Sequence, residues 1–169
     1  MRSIYAFDGP LRDAVHRFKY RGRISLARPL AKLLWQGWQS SIGKAIPRDI
    51  DCIAPVPLQA WRQWRRGYNQ SELLAHELSR LCSRPALKVL WRRRHTRSQT
   101  QFSARDRQSN VRDAFALDLA QIAPHDLSGR SILLLDDVCT TGSTINECAR
   151  VLQQNGVKSV YALTLARQL

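Results

Sequence analysis

The sequence predicts an α/β fold, a mainly parallel sheet flanked by helices. Strand-like apolar runs at 50–56, 131–136 and 157–165 alternate with stretches of helical periodicity. That order builds a parallel sheet through crossover helices. The run 132–135, Ile-Leu-Leu-Leu, is apolar at every position, the mark of a strand buried on both faces.

Each element follows in order. Leu11, Ala14, Val15 and Phe18 fall on one face of a short helix with Pro10 near its start. Lys19-Tyr20-Arg21-Gly22-Arg23 reads as a basic turn, and Ser25 as the cap of a second helix carrying Leu26, Leu30, Leu33 and Leu34. Gly43 and Pro47 mark a loop. The 50–56 strand is closed by Pro55 and Pro57, and a basic loop follows to Gly67. Asn69 or Ser71 caps a helix with Leu73, Leu74, Leu78 and Leu81 on its face. Short strands are expected at 87–91 and 114–117. Between them, 92–110 is polar, basic and aperiodic, a long loop of the kind that serves as a lid or binding loop. The 131–136 strand leads into a helix over 145–152, Gly156 stops it, and 157–165 closes the sheet.

The chemistry concentrates at 131–144, Ser-Ile-Leu-Leu-Leu-Asp-Asp-Val-Cys-Thr-Thr-Gly-Ser-Thr. Open α/β sheets bind ligands at the carboxyl ends of their strands. Here that end carries Asp136 and Asp137, then a hydroxyl- and glycine-rich turn into a helix. Converging N–H groups at a helix start suit a phosphate. Thr140, Thr141, Ser143 and Thr144 add hydroxyl donors, and Gly142 permits a turn with positive φ. The carboxylates suit vicinal hydroxyls, or a magnesium ion with its waters. A phosphate joined to a diol is a ribose 5-phosphate. A Walker B strand would need a G-x-x-x-x-G-K-[ST] loop, and none is present.

Composition narrows the class. At 169 residues and 44% hydrophobic content the chain is globular in type, with no apolar stretch approaching a membrane span. Asp8 interrupts any signal-peptide core. Cys52, Cys82, Cys139 and Cys148 form no C-x-x-C pair, so neither a zinc site nor a secreted disulfide framework is indicated, and a cytoplasmic location is expected. His16, His76, His95 and His125 are scattered, without metal-ligand spacing. The formal net charge is +14, mostly arginine. Two clusters, Arg62-Gln63-Trp64-Arg65-Arg66 and Trp91-Arg92-Arg93-Arg94-His95-Thr96-Arg97, pair arginine with tryptophan. That pairing suits small polyphosphates and single-stranded nucleic acid alike.

The 131–144 segment resembles the signature of the type I phosphoribosyltransferases, which bind phosphoribosyl pyrophosphate with Mg2+. The resemblance implies that Asp136 and Asp137 hold the ribose hydroxyls, and a metal through water or ligand, while 140–144 holds the 5-phosphate. The Pro-Val-Pro strand end at 55–57, Arg-Arg-Gly-Tyr-Asn-Gln-Ser at 65–71, Lys19-Tyr20-Arg21-Gly22, Ser98-Gln99 and Arg107 to Val111 are similar to the ComF family, competence-associated proteins that include the GntX type. The likeness runs from about Tyr5 to Arg167.

That resemblance implies a type I phosphoribosyltransferase fold, with an N-terminal helical hood over 1–48 and a core over 49–169. It implies a pyrophosphate site at the turn after Val56, with Pro57, Arg65, Arg66 and Gly67. The 92–110 loop becomes a lid whose Arg94, Gln99, Arg105 and Arg107 contact phosphate. Many ComF-type proteins begin with a cysteine-rich zinc segment; its lack here means either a truncated start or a zinc-free branch. Almost nothing follows Leu165 to hold an acceptor, so residues 5–40 are expected to build any acceptor pocket. One expectation is an enzyme that moves ribosyl phosphate to an unidentified acceptor and releases pyrophosphate, in competence or DNA uptake. The alternative is a non-catalytic DNA-uptake accessory protein whose Arg/Trp surface binds single-stranded DNA or competence proteins. A homo-oligomer is left open, and membrane insertion is not expected.

Overall fold

The computed structural model describes residues 1–40, 44–93, 111–122 and 126–168. In chain order the elements are β1 (Arg2–Ala6), α1 (Gly9–Tyr20), α2 (Ala27–Gln39), β2 (Cys52–Pro55), α3 (Ala60–Arg66), α4 (Gln70–Cys82), β3 (Leu90–Arg92), β4 (Phe115–Leu117), α5 (Leu119–Ile122), β5 (Ser131–Cys139), α6 (Ser143–Gln154) and β6 (Ser159–Arg167). The main sheet has the order β1-β6-β5-β2, and its three pairings are all parallel. β3 and β4 form a separate antiparallel ribbon.

β5 is the organising strand. Successive side chains point to opposite faces of a strand. Leu133 and Leu135 therefore join a cluster with Val15 and Phe18 of α1, Leu34 and Trp38 of α2, and Leu74 and Leu78 of α4. Ile132 and Leu134 join the opposite cluster, with Ile145, Cys148 and Leu152 of α6 and Leu90 and Phe115 of the ribbon. All four β5 residues are fully buried. Burying each contributes about 1.5–3 kcal/mol before chain entropy. The uninterrupted apolar run thus reflects two covered faces, as expected from sequence.

Three elements differ from the sequence reading. β1 was not anticipated: Ile4 is its one buried side chain, so no alternation marks it, and pairing with β6 is what makes it a strand. Residues 60–66, expected as loop, form α3, a helix with no buried residue and hence no apolar stripe to read. Ser25 does not cap α2; it lies in a 3-10 turn over Ile24–Leu26, and the helix starts two residues later without a side-chain cap. Asn69 does cap α4, accepting from the Ser71 N–H at 3.0 Å.

Residues 1–48 supply β1, α1 and α2, which share their hydrophobic cluster with β5, β6 and α4. Of the 92–110 segment, 94–110 lie outside the described residues. Its stem is closed by Arg93 N–H donating to the Ala114 carbonyl at 2.8 Å.

Candidate functional site

The phosphate-type loop is built by one contiguous stretch. β5 runs through both carboxylates and stops at Cys139, so Asp136 and Asp137 lie inside the strand rather than beyond it. The chain then turns at Gly142, whose φ of +80° is costly for any residue with a Cβ, and enters α6 at Ser143. The first turn of α6 has main-chain N–H groups without helical acceptors, at the positive end of a 12-residue helix. The Thr141 and Ser143 hydroxyls lie 2.9 Å apart at the same turn. A small cleft is lined by Asp136, Val138, Cys139, the 140–144 loop and Ile145. The loop and one of the two carboxylates therefore line the same cleft.

The two carboxylates face different partners. Asp136 accepts from the Ser71 hydroxyl at 2.8 Å and from the Asp137 N–H at 2.9 Å. Burial first, and the neighbouring Asp137 second, push its pKa from 3.8 up to about 7. Asp137 is buried, does not line the cleft, and has Oδ2 2.9 Å from the Lys19 ammonium of α1. Its Oδ1 accepts from the Val138 N–H at 2.6 Å.

A second edge lies beside β2. The Val56 N–H donates to the Leu135 carbonyl at 2.9 Å, and the Val56 carbonyl accepts from Asn69 Nδ2 at 3.1 Å. These bonds fix the turn that carries Pro57. Arg65 and Arg66 sit in the last turn of α3, and Gly67 ends that helix in the left-handed region. Arg66 donates to Gln70 Oε1 at 2.8 Å and lies 4.7 Å from the centre of the Tyr20 ring. Gln70 directly precedes Ser71, so one turn of α4 touches both Arg66 and Asp136.

Burial, then Arg66, lowers the pKa of Arg62, and burial, then Arg62, lowers that of Arg92 on β3. Guanidiniums from α3 and β3 thus stand close enough to repel one another, a setting that favours an anion. Gln70 is buried, and its Nε2 has no hydrogen-bond acceptor among the described residues. Arg94, Gln99, Arg105 and Arg107 lie outside the described residues.

Sequence reasoning missed Lys19 and Ser71 as members of this region, and placed Arg62 and Arg92 only within basic clusters suited to an anion. Lys19 and Ser71 lay within motifs already singled out, but their partner, the acidic pair, is distant in sequence. Among the described residues no group of three His, Cys, Asp or Glu side chains is placed to hold a metal ion. Mg2+ usually uses one or two carboxylates together with substrate phosphates and water. Asp136 in the cleft fits that pattern for a metal that arrives with a phosphorylated ligand.

The chain is similar in sequence to several known proteins. The sequence model of the phosphoribosyl transferase domain matches residues 71–169. Competence protein F of Haemophilus influenzae is 38% identical over 159 residues, 94% of this chain and 68% of that protein. DNA utilization protein YhgH of Escherichia coli K12 is 38% identical over 164 residues, 95% of this chain and 68% of that protein. Competence protein ComFC of Bacillus subtilis is 27% identical over 167 residues, covering 98% of this chain and 63% of that protein.

Among solved structures, the glutamine phosphoribosylpyrophosphate amidotransferase of B. subtilis, complexed with ADP and GMP, superposes with a TM-score of 0.56 at 19% identity. That match covers 96% of this chain but 31% of the amidotransferase, and it speaks for the fold alone. Among the described residues no helix is long and apolar enough to cross a membrane. A parallel sheet flanked by helices, the domain match and the competence-type relatives converge: the chain belongs to the ComF family and has the type I phosphoribosyltransferase fold.

Proposed function

We propose that this chain binds phosphoribosyl pyrophosphate with Mg2+ and acts in the uptake or use of DNA. The observation that carries the ligand reading is the cleft shared by Asp136 and the 140–144 loop at the carboxyl end of β5. The α6 N-terminus and its hydroxyls take the 5-phosphate, and Asp136, the member of the acidic pair that lines the cleft, takes the ribose hydroxyls. Arg62, Arg65, Arg66 and Arg92 form the side to which the pyrophosphate is drawn. Asp136 would hold Mg2+ together with the ligand's own phosphates, and the metal would supply charge neutralisation there. As the bond from C1 to the pyrophosphate oxygen lengthens, negative charge grows on the leaving group, and guanidiniums aimed there favour that state. Transfer of ribosyl phosphate to an acceptor, with release of pyrophosphate, is the reaction this arrangement serves. The cellular role rests on the relatives named for competence and DNA utilization.

A second reading has its own observation. Trp64 is 87% exposed, Trp61 and Trp91 are about half exposed, and Arg62 and Arg65 lie over the Trp61 ring at 5.4 and 5.8 Å. Exposed tryptophan interleaved with arginine suits stacking of bases and tracking of a phosphate backbone. In that role the chain is a non-catalytic accessory to DNA uptake.

Calorimetric titration with Mg2+ and phosphoribosyl pyrophosphate tests the first reading, with Asp136→Asn/Asp137→Asn as the control. Saturable binding by the native chain, lost in the double variant, is expected. No binding by the native chain defeats the ligand reading. Binding without pyrophosphate release across a panel of acceptors favours the accessory role, which also requires DNA affinity that falls steeply with salt.

A further inference from the structure

The motif Lys19-Tyr20-Arg21-Gly22 has no place in the ligand reading above, yet the fold brings it to the centre of the site. Lys19 lies at the end of α1, and its ammonium is 2.9 Å from Asp137 Oδ2. The two side chains are 18% and 9% exposed. The segment is pinned from the other side as well. The Phe18 carbonyl accepts from the Tyr68 hydroxyl, and the Tyr20 ring lies under Arg66. Arg66 is bonded to Gln70, next to the serine that donates to Asp136. The segment that carries Lys19 is thus held beside the acidic pair by packing and hydrogen bonds on several elements, and the Lys19 side chain itself is 18% exposed.

Two adjacent carboxylates near the surface ordinarily invite a divalent cation. Here Asp137 Oδ1 accepts from the Val138 N–H, and the buried Oδ2, which accepts no hydrogen bond among the described residues, has its charge met by the Lys19 ammonium 2.9 Å away. We propose that the Lys19 ammonium is the resident cation of the acidic pair. It occupies the position at Asp137 that a metal would take, so the pair alone excludes divalent metal. Mg2+ then enters only with a phosphorylated ligand, on the Asp136 side. Removing a partner from a buried ion pair leaves an uncompensated charge, and a metal ion is the replacement the vacated place would admit. Lys19 is on this account a positioning residue, acting through Asp137. The ligand half of the proposal rests on the phosphoribosyl pyrophosphate reading; the metal-exclusion half does not.

The test begins without ligand. Mn2+ binding is followed by electron paramagnetic resonance for the full chain and for Lys19→Ser, Lys19→Gln and Lys19→Arg. The native chain and Lys19→Arg are expected to show no Mn2+ at the acidic pair. Lys19→Ser gains a site at least about tenfold tighter than any in the native chain, and adding Asp137→Asn abolishes it. If Lys19→Ser does not fold, Lys19→Gln keeps the stem packing and carries the same expectation. Equal Mn2+ binding by native and variant chains overturns the proposal, as does a gain that survives Asp137→Asn.

The second arm measures phosphoribosyl pyrophosphate affinity across Mg2+ concentration. Lys19→Gln should lose affinity at low Mg2+ and recover it at high Mg2+, while a merely structural role would lower affinity equally throughout. Absence of binding by the native chain defeats the ligand reading and leaves the Mn2+ result standing.

Discussion

The two edges of the site are built differently. At the end of β5, Asp136, the 140–144 loop and the start of α6 come from one unbroken stretch of chain. Beside β2, the basic edge draws on Arg62 and Arg66 of α3, Tyr20 of α1 under Arg66, the first turn of α4, and Arg92 of β3. The first edge needs only local geometry: a strand end, one glycine with positive φ, and a helix start. The second exists only after α1 and α3 have docked, because its cations repel one another and the packed core must hold them together.

That contrast can be broken or sharpened by substitution, and the largest effect is expected at the contiguous edge. Asp136→Asn should weaken binding of ribose 5-phosphate and of phosphoribosyl pyrophosphate alike, by about 100-fold or more, since it puts an amide donor where an oxygen acceptor faces the cleft inside a hydrogen-bonded network. Calorimetry with both ligands checks it, and equal affinity in the variant would remove Asp136 from the site. Arg62→Ala with Arg66→Ala should act on one ligand only. Phosphoribosyl pyrophosphate affinity falls about tenfold or more, while ribose 5-phosphate affinity is unchanged. A matching loss for both ligands would mean that the two edges are one.

Smaller effects test the scaffold. Gly142→Ala forces a side chain into the left-handed region and should cost about 1–2 kcal/mol in denaturant unfolding, with weaker binding of inorganic phosphate. Asn69→Ala removes the α4 cap and the bond to the Val56 carbonyl. It should cost about 1 kcal/mol and loosen the β2 edge while sparing ribose 5-phosphate binding.

The smallest effect is a pH dependence. With its pKa pushed from 3.8 up to about 7, folded Asp136 keeps a proton that the unfolded chain gives up. Stability from this group is therefore full below about pH 4 and declines as pH rises toward about 7. Asp136→Asn should remove that decline and gain on the native chain across the same window, read by thermal unfolding at each pH. A constant difference between the two chains from pH 4 to 8 would contradict it.

Much of the fold is legible in the amino-acid pattern. The 132–135 run announces a strand with both faces covered, and the leucines of α4 announce a helix with its cap at Asn69. What escapes has no periodic signal. β1 buries Ile4 alone, and α3 buries nothing. In the site, the 140–144 loop is legible for the same reason as β5: its chemistry is a pattern of neighbours.

The sequence by itself determined three of the four strands of the sheet, the phosphate-type loop and the presence of two carboxylates, because local backbone geometry and burial periodicity leave a mark every few residues. Only the tertiary structure decided that those carboxylates are unequal. Asp136 lines the cleft, and Asp137 belongs to Lys19, more than a hundred residues earlier in the chain. A pairing across that distance is set by how α1 packs on the sheet, and charge acts through space rather than along sequence, so no spacing in the chain records it.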